Sequence, residues 1–223
     1  MTENARPVEA LIVVDVQSAF VAGAAAVPAA AGLLEQVAGL TLRARAGGAL
    51  VVHLQNDGAG GAADEPGKPG WELHLPASAG PREVVIRKTA DDGFSGTPLA
   101  GLLVASGVRS LAVCGLMSEM CVSATARTAL ALGFRVVMAH DAHATCDIPP
   151  APGIGGLVPA AVVSRVAEWA LGDSVEIAAR ALDVTFTAPA RPGPRAQDYE
   201  PGHATFPGPL APDGLHFGPE GQP

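Results

Sequence analysis

Apolar residues along the chain fall in short continuous runs rather than in strict alternation with polar ones. The clearest are ALIVVD (10–15), GALVVHLQ (48–55), EVVIRK (83–88), RSLAVCG (109–115) and FRVVMAHD (134–141). A weaker run, DSVEIA, covers 173–178. Continuous β-branched runs of this length predict strands buried on both faces. Between them lie segments rich in helix formers: Val27 to Ala46, Thr97 to Ser106, Ser118 to Leu132 and Pro159 to Leu171. Alternating strand and helix predicts an α/β fold, a parallel sheet with helices on both faces. In such a sheet, ligands bind beyond the carboxyl ends of the strands. The residue that ends each run is therefore where chemistry is expected.

Two regions break the alternation. Residues 56–82, NDGAGGAADEPGKPGWELHLPASAGPR, are rich in Gly and Pro, and connections this long are usually functional or disordered. Trp71 within it argues for at least partial order. From Ala188 to Pro223 the chain carries nine of its 20 prolines and no strand or helix period. The expectation is one globular domain over 1–187, followed by a non-globular tail over 188–223. Tyr199, Phe206 and Phe217 give that tail groups able to dock on this subunit or a neighbour.

Composition narrows the functional class. The 223 residues are 48% hydrophobic but only 4% aromatic, so the core is built from Ala, Val and Leu. The net charge of −8 argues against a nucleic-acid surface, which needs basic patches to displace counterions. MTENARPVEA has no basic segment leading into a long apolar one, and no run reaches the roughly 20 apolar residues of a membrane span. Three cysteines are too few, and odd in number, for a disulfide framework. A cytoplasmic enzyme or small-molecule binding domain, with no nucleic acid or membrane as partner, fits these features.

Three strand ends carry candidate chemistry. Asp15 follows four apolar residues, either as a partnered carboxylate at the strand mouth or as a turn residue capping the next segment. Lys88 ends VVIR, either inside that mouth or snorkelling to the surface. Cys121 falls seven residues after Cys114, in a segment predicted to leave the sheet at Gly115 and begin a helix, with Ser118 as N-cap. Free N–H groups and the helix dipole there favour a thiolate and offer an oxyanion site, although a small buried residue would fit the same position. Cys114, inside the apolar run, reads as packing. Cys146 reads as a loop or packing residue. A Cys–x6–Cys spacing alone does not make a zinc site.

Taken together, LIVVDVQSAF, VIRKTADDGFSGTPL and CGLMSEMCVSATARTALALGFRVVMAHDA resemble the isochorismatase-like cysteine hydrolases, over about residues 8–187. The resemblance implies a three-layer α/β/α fold around a six-stranded parallel sheet, Rossmann-like in its winding. It implies a catalytic triad of Asp15, Lys88 and Cys121. A non-proline cis peptide at Leu116–Met117 and an oxyanion hole from the Met117 and Cys121 N–H groups come with it, as does assembly into homo-oligomers. Nicotinamidases of this family bind a metal through an Asp-x-His element and a later His. Asn56 and Gly58 stand at the first two positions here and His74 at the third; His53 and Asp57 would serve only with a different local geometry. No metal and no other cofactor is therefore expected.

Within the family, NDG…DEPG.PGWEL, RKT.DDGF, HDAHAT.D and SRVAEWALGD resemble the streptothricin hydrolase group, which opens the lactam of a cationic antibiotic. This implies amide hydrolysis through a thioester. Aromatics are scarce, and Phe20, Trp71 and Phe94 lie in motif or loop segments, which makes them candidate substrate-binding walls, with plain packing the alternative for Phe20 and Phe94; Glu119 is a further substrate-binding candidate. The acidic residues Asp57, Asp91, Asp92 and Glu119 would suit a polycationic substrate; equally, they are ordinary solvated loop charges. Nicotinamidase, isochorismatase and carbamoyl-amide hydrolase activities fit the same triad. A non-catalytic binding protein and a Cys–His hydrolase using His140 or His143 are the alternatives from other classes.

Overall fold

Strand β1 (Ala10–Val14) is buried along its whole length, as its unbroken apolar run requires. It lies in the middle of a parallel sheet with strand order β3-β2-β1-β4-β5-β6. The other strands are β2 (Leu50–Asn56), β3 (Glu83–Lys88), β4 (Ser110–Leu116), β5 (Arg135–Ala144) and β6 (Val175–Ala178). The computed structural model describes residues 6–190. The tail expected from residue 188 thus lies, from residue 191 onward, outside the described residues.

The chain winds outward from β1 to one edge and, after β3, returns to lay β4 against the other side of β1. In register, Ala10 faces Leu50 on one side and Leu111 on the other. The β1/β4 boundary is the point where the winding reverses, and a crevice forms there beyond the strand ends.

Helices cover both faces. On one, α2 (Ala30–Gly47) packs Leu33, Val37, Leu40 and Ala44 against Leu11, Val13 and Val51. On the other, α3 (Leu99–Ala105) and α4 (Ser123–Ala131) pack Leu99, Leu103, Ala126 and Ala129 against Ile12, Val14, Val52 and Leu54. Alternate strand residues thus feed separate cores, which is why the apolar runs are continuous. The short α1 (Ser18–Val21) follows β1, and α5 (Ala160–Ala170) precedes β6. Gly48, left-handed at φ 71°, ends α2 by donating its N–H to the Ala44 and Arg45 carbonyls.

Three elements differ from the sequence expectation. Helix α2 starts at Ala30 rather than Val27, after a turn led by Pro28. Strand β5 runs on to Ala144, because extra residues bulge between Met138, which pairs with Val113, and His143, which pairs with Gly115. The segment after β4 is first a π-helical turn, Ser118–Val122, and only then the α-helix. Ser118 is not its N-cap; its hydroxyl instead meets His143 Nδ1 at 2.8 Å and Ser164 Oγ at 2.9 Å.

Candidate active site

Asp15, Lys88 and Cys121 arrive at one place from three elements. Asp15 follows β1 with a left-handed φ of 51°, a conformation non-glycine residues rarely adopt outside functional or strained sites. Its N–H remains tied to Leu54 O at 3.0 Å, so the departing backbone is still pinned to β2. Lys88 ends β3 with its side chain fully buried, and its Nζ lies 2.7 Å from Asp15 Oδ2. The same Nζ donates to Cys121 Sγ at 3.4 Å and to the Ala90 carbonyl at 3.1 Å. A long lysine stem runs through the core here only because a carboxylate and a sulfur meet its charge.

Electrostatics define the resting state. Burial pushes the Asp15 carboxyl up to about 6, against the pull of the Lys88 ammonium. Burial works to lower the Lys88 pKa, but the charge and hydrogen bond of Asp15, joined by those of Cys121, together outweigh it and hold the ammonium above the usual lysine value. Burial, and then the Asp15 carboxylate, push the Cys121 thiol up to about 12. The expectation of a stabilised thiolate therefore does not hold at rest. The thiol stays protonated and donates to Asp91 Oδ1 at 3.6 Å. A thiolate arises only if a base beside it takes the proton.

The turn carrying Cys121 supplies backbone donors. The peptide between Leu116 and Met117 is cis. The Met117 carbonyl accepts from the N–H groups of Met120 and Val122, while its own N–H has no acceptor among the described residues. Gly115 makes the exit possible: at φ 116° it passes so close to β1 that a Cβ there would lie 2.1 Å from Val14 O.

The other expected residues spread around this centre. Trp71 donates its indole N–H to Asp57 at 2.9 Å, and the Arg87 guanidinium lies 5.1 Å above its ring. Asp57 is thus paired and not available to a substrate. Phe94 packs in the same core as Cys121 and stacks on Phe134 at 6.5 Å. Phe20 packs against the core on the opposite face of the sheet. Glu119 accepts from Thr145 Oγ1 at 2.9 Å, and Asp92 from Thr128 Oγ1 at 2.8 Å. Cys114 is buried, with its thiol toward Ile12 O, and burial raises its pKa; Cys146 is exposed. Both ring nitrogens of His143 are engaged, by Ser118 and by Glu168, and His140 Nδ1 is also held by Glu168. Neither histidine serves Cys121.

One residue of the site was missed in the sequence. Gln17 is fully buried and binds the long loop after β2 at its start and near its middle: its Nε2 reaches Asn56 O at 3.0 Å and Trp71 O at 2.9 Å, and its Oε1 accepts from Asn56 N at 2.8 Å. A buried glutamine two residues past Asp15 is a signal in principle, but the partners that justify it are distant in sequence.

The positions that the resemblance links to a metal do not make a donor set. Asn56 donates its side-chain amide to Asp64, Gly58 has no side chain, and the exposed His74 holds Ser18 Oγ at 3.3 Å. A Cβ at Gly58 would lie 2.2 Å from Asp64 Oδ1, so a larger residue there would displace that carboxylate. His53 faces the other way, into Glu83 at 2.8 Å. Among the described residues, no three His, Cys, Asp or Glu side chains converge as a metal site would require.

Similarity to known proteins follows the same lines. An isochorismatase-domain profile matches residues 9–150. Streptothricin hydrolase of Streptomyces noursei is 66% identical over 190 residues, which is 85% of this chain and 69% of that protein. The structure of an isochorismatase from Pseudomonas putida superposes with a TM-score of 0.72 at 27% identity, covering 80% of this chain and 93% of that one. A pyrazinamidase of Pyrococcus horikoshii, solved in complex with zinc, gives a TM-score of 0.62 at 29% identity, covering 77% and 99%. With this sheet order, these three strand ends and a profile match over most of the sheet, the chain belongs to the isochorismatase family of hydrolases.

Proposed function

We propose that the protein is a cysteine-dependent amidohydrolase that opens a cyclic amide, a lactam of the kind found in streptothricin, through a thioester. The observation that carries the reading is the contact set of a buried carboxylate, an ammonium 2.7 Å from it and a thiol 3.4 Å from that ammonium, at the carboxyl edge of the sheet. The extent of identity to streptothricin hydrolase supports the lactam as substrate.

Each step then has an owner. The ionised Asp15 takes the Cys121 proton, and Lys88 keeps that carboxylate charged and close until it does. The thiolate attacks the amide carbonyl carbon, forming a C–S bond and placing negative charge on oxygen. The Met117 and Cys121 N–H groups hold that oxygen, a contribution of about 3–4 kcal/mol per donor in comparable sites. Collapse breaks the C–N bond, and Asp15 returns the proton to the leaving amine, which in a lactam stays tethered to the acyl part. Water then loses a proton to Asp15 and attacks the thioester. Cys121 leaves as thiolate and is reprotonated.

The test is a hydrolysis screen of cyclic and linear amides, including streptothricin and nicotinamide, with Cys121→Ala as blank. Lactam opening is expected, falling at least about a thousandfold in Cys121→Ala, with an acyl-enzyme mass on Cys121. Lys88→Ala is expected to be severe; a near-silent Lys88→Ala would favour a Cys–His scheme. Turnover of nicotinamide alone, abolished by chelator, would overturn the reading.

A further inference from the structure

Asp64 is a carboxylate that the triad does not use. It lies in the loop after β2, yet it is only 7% exposed. Its Oδ2 accepts from Asn56 Nδ2 at 2.7 Å. Its Oδ1 meets neither a hydrogen-bond donor nor a cation among the described residues. That oxygen keeps contact with solvent, since the wholly buried side-chain atoms without a partner among the described residues are Asp15 Oδ1 and Arg43 Nε; on a carboxylate otherwise this enclosed, it is placed to take a positive partner. Its seat is built rather than accidental. The Asp64 carbonyl accepts from Gly58 N at 3.0 Å, and the carboxylate rests on Gly58, where any Cβ would collide with it.

Strand register places this seat beside the triad. Asn56, which holds the carboxylate, pairs in register with Lys88. Alternation along the strands puts these two on the face of Leu54 and Ile86, and both of those belong to the core against which Cys121 packs. The proximity is felt electrostatically, since the Asp64 charge opposes ionisation of Asp15. Cations near this edge are already committed. Lys88 neutralises Asp15, Arg87 pairs with Asp57 and Lys68 with Glu65. Beside the thiol, Asp91 adds a further exposed carboxylate.

We infer that Asp64 is the cation-reading residue of this site: its free oxygen binds a protonated amine or guanidinium carried by the substrate next to the scissile amide. A divalent metal is a poorer occupant, because it needs several ligands and no group of three donor side chains surrounds this oxygen. The identity of the scissile amide rests on the amidohydrolase reading above, but the charge preference can be measured separately.

Two thiosulfonates that differ in charge make that measurement. Cationic 2-aminoethyl methanethiosulfonate and neutral methyl methanethiosulfonate each transfer an alkylthio group to a cysteine sulfur and release methanesulfinate. Peptide mapping reads Cys121 against the exposed Cys146 in the same sample. At low salt, the cationic-to-neutral rate ratio at Cys121 is expected to exceed that at Cys146 by about tenfold. In Asp64→Asn, which can still accept from Asn56, the excess should collapse toward one whatever happens to the absolute rates. An unchanged excess in Asp64→Asn overturns the proposal.

Should that variant not fold, competition in the wild-type protein decides. Butylammonium should slow iodoacetamide labelling of Cys121 more than butanol does, and equal effects overturn the proposal. Protection by zinc chloride but not by butylammonium overturns it in favour of a metal. A Cys121 that no reagent labels sinks the amidohydrolase reading and the proposal with it. A labelled Cys121 with no charge preference sinks the proposal alone.

Discussion

In the proposed mechanism the chemistry turns on Asp15, and its environment sets a measurable pH limit. Burial holds its carboxyl near 6, with Lys88 pulling the other way. A general base must be ionised, so kcat/KM is expected to rise with pH through an apparent pKa close to that value. The value belongs to the coupled Asp15–Cys121 site rather than to either group alone. A pH–rate profile already flat from about pH 5 to 8 would remove Asp15 from the base role. The three proposed triad positions were legible as candidates, Asp15 and Lys88 because each ends an apolar run and Cys121 because it lies in the turn that follows one. The protonation state of Cys121 was not legible. A position at a helix start favours thiolate, but here burial and a neighbouring carboxylate, both products of folding, outweigh it.

At the scale of elements, the loop after β2 and the turn after β4 shape the site. Residues 56–82 looked like a long irregular connection, of which 57–82 form the loop after β2. It is held down by Gln17, by Gln55 Nε2 on Trp71 O at 2.9 Å, and by the Asn56–Asp64 contact. Gln17→Ala would leave the Asn56 N–H and carbonyl without this buried partner, and the Trp71 carbonyl with Gln55 alone. The expected cost is about 1–3 kcal/mol. It should appear as faster amide hydrogen exchange across 57–82, with the strands unaffected. Unchanged exchange in that loop would show that Gln17 does not hold it. The turn after β4 was read as an ordinary helix start with a serine cap. Its π-helical form, and the pairing of Ser118 with His143 and Ser164, depend on β5 and α5, which no local pattern reveals.

For the molecule as a whole, Glu83 ties the edge of the sheet to a helix. It pairs with Arg45 of α2 at 2.6 Å and with the buried His53 of β2 at 2.8 Å. Burial alone would raise its carboxyl, but Arg45, the Ser78 N–H and His53 together hold it at about 2. A carboxylate depressed in the fold adds stability that is fully present above its unfolded pKa of about 4.3, and that is lost as pH falls toward its folded value. Asp15, raised in the fold, acts with the opposite sign over its own interval. Glu83→Gln is therefore expected to lower Tm at neutral pH, with the gap to wild type closing as pH drops below about 4. A gap that stays constant with pH would mean the ion pair contributes nothing beyond packing. Among the described residues, no helix is long and apolar enough to cross a membrane.

The sequence by itself determined the layers. Continuous apolar runs can be buried only on two faces, and the segments between them have the composition to cover those faces, so parallel α/β winding follows locally, as do the positions of Asp15 and Lys88 at strand ends and of Cys121 just beyond one. Only the tertiary structure decided what those ends do to one another. The 2.7 Å contact of Lys88 with Asp15, the raised Cys121 thiol and the hold of Gln17 on Asn56 and Trp71 each join residues far apart in the chain. Their energies come from desolvation and distance, and neither exists until the sheet has assembled.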